Sequence, residues 1–438
     1  MQLNHPLTLR HNFSWTLVGN GVYAACQWGM LVLLAKLGSP AMVGQFTLGL
    51  AITAPIFMLT NLQLRAIQAT DAAQHYRFND YLGLRLIGTG LSLLTILTIA
   101  LVGYSDRTSW VILLIGLTKS LESISDVLYG LLQQHERMDR IAISLMSRGC
   151  FSLLVLGFSL YWTHQLVWGI TGMVIVWATI LLGYDLRSGI ALLKANTAAT
   201  TSVHQPLSLQ VLRPHWHWLT LKKLTRLALP MGLVMMLISL NSNIPRYVVE
   251  HYLGEQELGI FAAIAYLIMV GGTIISALGQ AASPRLAKYY AQANAKAFWA
   301  LLSKLLGIGA VIGGLSVLVA LIAGREILTV LYQPEYAQHT DLLVWLMVAG
   351  GLSYIASFLG YGMTAAQHFQ IQLPLFISVT TVSALTCLWL IPSIGLNGAA
   401  IALILAAVVQ AGVSLGVILY AIRRISKYTN PVPTTFAE

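Results

Sequence analysis

Long apolar runs alternate with short polar segments along the whole chain, and this pattern predicts twelve membrane spans. Spans 1 to 6 cover residues 12–35, 43–62, 82–102, 110–133, 142–162 and 165–186. Spans 7 to 12 cover 224–252, 258–278, 298–323, 341–365, 373–390 and 398–422. Each is near the ~20 residues that a helix needs to cross a bilayer. Two longer polar segments, 63–81 and 187–223, interrupt the series. The expected fold is an all-α polytopic membrane protein with about twelve transmembrane helices. Its expected parts are a six-helix bundle over 1–186, a cytoplasmic or interfacial linker over 187–223, a second six-helix bundle over 224–427, and a flexible tail over 428–438.

Span 4 departs from the pattern. It carries Lys119, Glu122 and Asp126 at i, i+3 and i+7, and Tyr129 and Gln133 extend the series to i+10 and i+14. At 3.6 residues per turn all five share one stripe of one helix. Each charge costs roughly 2.5–3.5 kcal/mol to insert into hydrocarbon, so the stripe should face protein or a watery cavity. It marks either a functional site or a local pair in which Lys119 and Glu122 neutralise each other across one turn.

Composition agrees with the pattern. The chain is 57% hydrophobic and 9% charged, with mean hydropathy +0.74, whereas soluble domains carry about 25% charged residues. Its net charge of +10 is explained by topology. Of the 25 Lys and Arg residues, twenty fall on one side or on adjoining helix ends if both termini are cytoplasmic. Lys36, Arg107 and Arg325 fall on the other side, and Lys119 and Arg246 lie within spans. Such a bias sets both termini inside, and no nucleic-acid partner is needed. Cys26, Cys150 and Cys387 offer neither a disulfide framework nor metal spacing. Tyr23 to Cys26 is only faintly like a lipoprotein cleavage box, and no cleaved signal is expected.

The segment Arg213-Pro214-His215-Trp216-His217-Trp218, followed by Lys222 and Lys223, suits the headgroup layer. Two histidines there make a poor metal site. No phosphate loop, zinc-protease signature or nucleophile elbow is present, so no enzyme activity, cofactor or metal is expected. Span 7 is the other unusual helix. Pro230 and Pro245 should interrupt it, and Asn241, Asn243 and Arg246 follow closely. These three either serve a polar ligand, or Arg246 sits near the interface and pairs with Glu250.

The two halves echo each other. Leu37-Gly38 with Gly44 and Phe46 matches Leu253-Gly254 with Gly259 and Phe261. Tyr129-Gly130 with Gln134-His135 matches Tyr361-Gly362 with Gln367-His368, and Gly169 and Gly172 match Gly395 and Gly398. Six spans per copy leave both copies pointing the same way, which predicts parallel bundles around a central cavity that the span 4 stripe lines.

The Leu-Gly turn motif, with the stretches Leu62 to Asp71 and Pro245-Arg246-Tyr247 to Phe261, resembles the polysaccharide flippases. These translocate O-antigen or capsule repeat units and belong to the multidrug/oligosaccharidyl-lipid/polysaccharide exporter superfamily. The resemblance implies alternating access and movement of an undecaprenyl-pyrophosphate-linked oligosaccharide across the cytoplasmic membrane. It implies membrane lipids, a polysaccharide polymerase and glycosyltransferases as partners. The family supplies no invariant site residues. Lys119, Arg148 and Arg246 are the candidates for the pyrophosphate, because a cation in a low-dielectric cavity pairs with it strongly. Asn241, Asn243, Tyr129 and Trp110 are candidates for the sugars, and Glu122 and Asp126 for ion coupling. A multidrug antiporter of the same superfamily and a membrane-embedded glycan-processing enzyme are the rival readings. An antiporter for cationic drugs favours an acidic cavity, and the enzyme needs clustered carboxylates on an outer loop.

Overall fold

The computed structural model describes residues 8–71, 75–104, 106–200, 212–366 and 371–429. The expected tail over 428–438, apart from its first two residues, and the Gln367-His368 pair lie outside these. Every regular element among the described residues is helical. The first half contains α1 (Leu9–Leu37), α2 (Pro40–Asn61), α3 (Leu64–Thr70), α4 (Phe78–Gly103), α5 (Asp106–Gln134), α6 (Met138–Thr163), α7 (Leu166–Ile180) and α8 (Leu186–Thr200). The second contains α9 (Trp218–Leu253), α10 (Glu255–Tyr266), α11 (Ile268–Ala291), α12 (Ala295–Leu331), α13 (Thr340–Ala365), α14 (Gln372–Ile394) and α15 (Leu396–Thr429).

All twelve predicted spans are helical. Eleven helical segments among the described residues are long and apolar enough to cross a membrane. The twelfth span is α5, 29 residues long, whose charged stripe lowers its hydropathy. Large apolar side chains also coat the outside: Val102, Phe158, Trp162, Ile322 and Trp389 are exposed, as lipid-facing residues are. Trp216 and Trp218 are exposed too.

Three local features were not expected. The polar segment after span 2 contains α3, entered through Leu62 and Gln63, both at φ 52°. Span 6 continues beyond residue 186. A π-helical turn, Leu181–Asp185, joins α7 to α8, so much of the segment 187–223 is helical rather than loop. Pro230 and Pro245 do not interrupt span 7, because α9 runs through both.

The chain divides into two compact units, Met1–Ser239 and Leu240–Glu438. The division falls inside α9, later than the bundle boundary expected at residue 224. The physical reason is packing. Leu221, Leu224 and Ala228 join the core built by Leu62, Leu64, Tyr81, Leu128 and Leu132. Gly232 then brings α9 against α2, where a Cβ would meet the Leu59 carbonyl oxygen at 2.8 Å. In the first unit α1 packs on α6, α6 on α7, and α5 on α2, α4 and α7. In the second, α13 is central and contacts α11, α12 and α15. Its core is built around Phe298, Leu302, Tyr354 and Phe358. Tyr354 Oη donates to the Ile268 carbonyl at 2.7 Å.

Candidate substrate-binding site

Four of the five α5 stripe residues, all but Tyr129, face a cavity of about 430 Å³ in the first unit. Lys119, Glu122, Ser123, Asp126 and Gln133 line it from α5. Asn61 faces it from the end of α2, Gln63 from the turn into α3, Arg65 from the first turn of α3, and Phe57 and Met58 supply an apolar wall. Lys119 Nζ lies 2.6 Å from Glu122 Oε2. One turn further along, Asp126 is shared by two arginines. Arg85 Nη2 lies 2.9 Å from its Oδ2, and Arg65 Nη1 lies 3.5 Å from its Oδ1. Arg65 Nε also donates to Gln133 Oε1 at 3.0 Å, and its guanidinium lies 5.5 Å from the centre of the Tyr129 ring. Ser123 Oγ donates to Asn61 Oδ1 at 2.6 Å. The cavity is therefore faced by two cations, Lys119 and Arg65, and two carboxylates, with the buried Arg85 behind Asp126 and amides and hydroxyls between them. It can hold an anion and can hydrogen-bond to hydroxyl groups.

Two arginines that the positive-side bias counts as helix-end charges are deeply buried. Arg85 is 0% exposed, and its partner Asp126 lies 41 residues away. Arg148 is 1% exposed and pairs with Asp185, 37 residues away, at the π-helical turn. Arg148 also donates to Ser125 and stacks over Trp177 and Tyr129, with its carbon 4.9 Å and 5.6 Å from the ring centres. Neither Arg148 nor Tyr129 lines the cavity. Tyr129 is buried and its hydroxyl hydrogen-bonds Ser144 at 2.7 Å. Trp110 is exposed on the outside of the bundle.

The span 7 candidates belong to the second unit. Arg246 Nη1 donates to Asn243 Oδ1 at 2.5 Å, and no ion pair with Glu250 forms among the described residues. Asn241 Oδ1 and Arg246 Nε are buried without a hydrogen-bond partner. In the interfacial segment His215 pairs with Asp80 at 3.4 Å, while His217 faces Thr220. The two histidines do not converge, and no cluster of three metal-ligating groups occurs among the described residues.

Arg65, Arg85, Asn61 and Asp185 are the site and support residues that the sequence reading left out. A signal existed for one of them. Arg85, Thr89 and Ser92 at i, i+4 and i+7 form a polar stripe on α4, just as Ser144, Arg148 and Ser152 do on α6.

The family model described as "Polysaccharide biosynthesis protein" matches residues 9–290. The chain belongs to that family. It is 28% identical over 396 residues to the capsular polysaccharide biosynthesis protein CapF of Staphylococcus aureus, covering 89% of this chain and 94% of CapF. Its fold is that of the MOP-superfamily transporters. An inward-facing multidrug resistance MATE family transporter superposes with a TM-score of 0.68 at 15% identity, over 95% of this chain and 99% of the other. A MOP superfamily transporter from Pyrococcus furiosus, described as having a binding pocket of reversed polarity, gives 0.61 at 17% identity, over 95% of each chain. At these identities the solved structures establish the fold and transfer no site residue. Together with its membrane-length helices, the family identifies a multi-pass membrane transporter of polysaccharide biosynthesis.

Proposed function

We propose that this transporter flips an undecaprenyl-pyrophosphate-linked oligosaccharide from the cytoplasmic to the outer leaflet of the cytoplasmic membrane by alternating access. The observation that carries the proposal is the pair of cations that face the α5 cavity, Lys119 and Arg65, with the buried Arg85 behind Asp126 already neutralising that carboxylate. In a low-dielectric surrounding, ammonium and guanidinium groups are the natural partners of a diphosphate. Asn61, Gln63, Ser123 and Gln133 supply amide and hydroxyl partners for sugar hydroxyls. Asn241, Asn243 and Arg246 add a polar group on the second unit that suits the same ligand class. The lipid tail needs no site of its own, because it remains in the bilayer.

In this reading Glu122 and Asp126 balance the cations while the cavity is empty. A coupling proton on Glu122 would replace the lysine drawn away by the diphosphate. The antiporter alternative needs carboxylates available to a cationic drug. Here both carboxylates already hold cations at 3.5 Å or closer. Both termini are assigned to the cytoplasm on the distribution of Lys and Arg. Residues 187–223 act as the cytoplasmic or interfacial connection, and polymerase and glycosyltransferases of the same process are the expected neighbours.

The test is transport in proteoliposomes loaded with undecaprenyl-pyrophosphate-linked oligosaccharide. Wild-type protein should render the inner-leaflet sugar accessible to an impermeant glycosidase. No gain over empty liposomes, together with efflux of a cationic dye, would favour the antiporter.

A further inference from the structure

The α5 stripe carries two cation–carboxylate pairs, and they differ in what remains when the cation leaves. Among the described residues Glu122 has one cation within ion-pair distance, Lys119. Asp126 has two. Arg85 is fully buried and close, at 2.9 Å, whereas Arg65 is 31% exposed and held more loosely, at 3.5 Å. An anion that draws Lys119 away leaves Glu122 uncompensated. An anion that draws Arg65 away leaves Asp126 still neutralised by Arg85. The second exchange leaves no carboxylate without a cation, whereas the first needs a proton or another group to take up the charge on Glu122.

We infer that Arg65 is a diphosphate-binding residue of this transporter, exchanging Asp126 for the ligand, at an anion station one helical turn along α5 from that of Lys119. The inference rests on the proposed flippase function. Asp126 follows Glu122 by four residues, so the two stations are separated by roughly 6 Å along the helix.

The backbone around Arg65 is arranged to present it. Leu62 and Gln63 both occupy the left-handed region at φ 52°, breaking the helix between α2 and α3. Non-glycine residues are held there only when the surroundings enforce it, and such positions concentrate at functional sites. Gly130 then lets α3 lie close on α5. A Cβ at that position would stand 3.4 Å from Arg65 Cα and collide with the Gln68 amide. The side chain is aimed as well. Gln133 takes its Nε, Asp126 its Nη1, and the Tyr129 ring supports one face. Arg65 Nη2 has no protein partner among the described residues, and the guanidinium borders the cavity. A planar fork with unused donors facing a cavity suits phosphate oxygens better than a lysine does.

The test uses the full chain in nanodiscs that contain phosphatidylglycerol, with undecaprenyl pyrophosphate as the probe. An ordinary anionic headgroup is then present throughout and cannot account for binding. Arg65→Gln should weaken binding at least tenfold, and Arg65→Lys should recover part of the loss, with the melting temperature little changed in either. Wild-type binding combined with Arg65→Gln binding within twofold of it would overturn this inference alone. Failure of the wild type to bind would overturn the flippase function and this inference with it. A second measurement needs no variant. Undecaprenyl pyrophosphate should protect Arg65 of the wild-type protein from phenylglyoxal, and unchanged modification in its presence would also overturn the inference.

Discussion

Lys119 and Glu122 form an ion pair 2.6 Å long across one turn of α5, with side chains 28% and 34% exposed. Partial exposure makes the pair weak as a stabilising contact, worth about 1 kcal/mol or less. Lys119→Ala should therefore lower the melting temperature only slightly, and adding Glu122→Ala should return it to the wild-type value. Thermal unfolding of the purified protein checks this. A large loss in the single variant would make the pair a structural element first.

Arg85 behaves differently. Its side chain is fully enclosed and holds Asp126 at 2.9 Å. Removing one partner of a buried pair typically costs about 3–5 kcal/mol. Arg85→Ala should lose most folded protein, whereas Arg65→Ala should cost under about 1 kcal/mol, because the exposed partner is the dispensable one. Fluorescence-detected size exclusion after heating separates the two. Equal losses would contradict the division of labour between these arginines.

Arg148 and Asp185 are enclosed together and contribute nothing to the cavity lining. Arg148→Ala should be destabilised by the carboxylate it strands. Arg148→Met combined with Asp185→Leu should fold, since a buried pair exchanged for packed apolar side chains is often neutral. Transport by that double variant should be near normal. A folded double variant without transport would restore Arg148 as a substrate ligand.

Asp71, just beyond α3, provides a pH-dependent element outside the spans. Burial pushes its carboxyl pKa up. Hydrogen bonds from the His75 and Tyr76 amides, the His75 ring and the Tyr81 hydroxyl outweigh this and hold it below the ordinary value. A lowered native pKa contributes stability that is present above the unfolded value of about 3.9 and is lost as pH falls through the native value. Asp71→Asn should lower stability at neutral pH, and the difference from wild type should shrink in acid. Melting curves across pH check this. A difference that does not change with pH would show that these hydrogen bonds do not depend on the charge.

The twelve spans and the α5 stripe were legible because both are local patterns. Apolar length and 3.6-residue spacing need no knowledge of neighbours. The partners of the stripe were not. Arg85 and Asp126 are 41 residues apart, Arg148 and Asp185 37. By position alone each arginine reads as a charge near a helix end. The helix break at Leu62 and Gln63 was also hidden, since neither is a glycine or an asparagine, the usual signals for positive φ. The continuation of span 6 into α8 was missed because its polarity reads as loop. Repacking across α9 placed the division of the units later than composition suggests.

The cavity's cations act on the ligand and do not serve only to neutralise the carboxylates beside them. Transport of undecaprenyl-pyrophosphate-linked oligosaccharide by Lys119→Ala/Glu122→Ala protein in proteoliposomes tests this most directly. This variant should be folded, as stable as wild type, and inactive, with Lys119→Arg retaining partial activity. Recovery of the double variant to near wild-type transport would show that Lys119 serves only to neutralise Glu122, and would contradict the account.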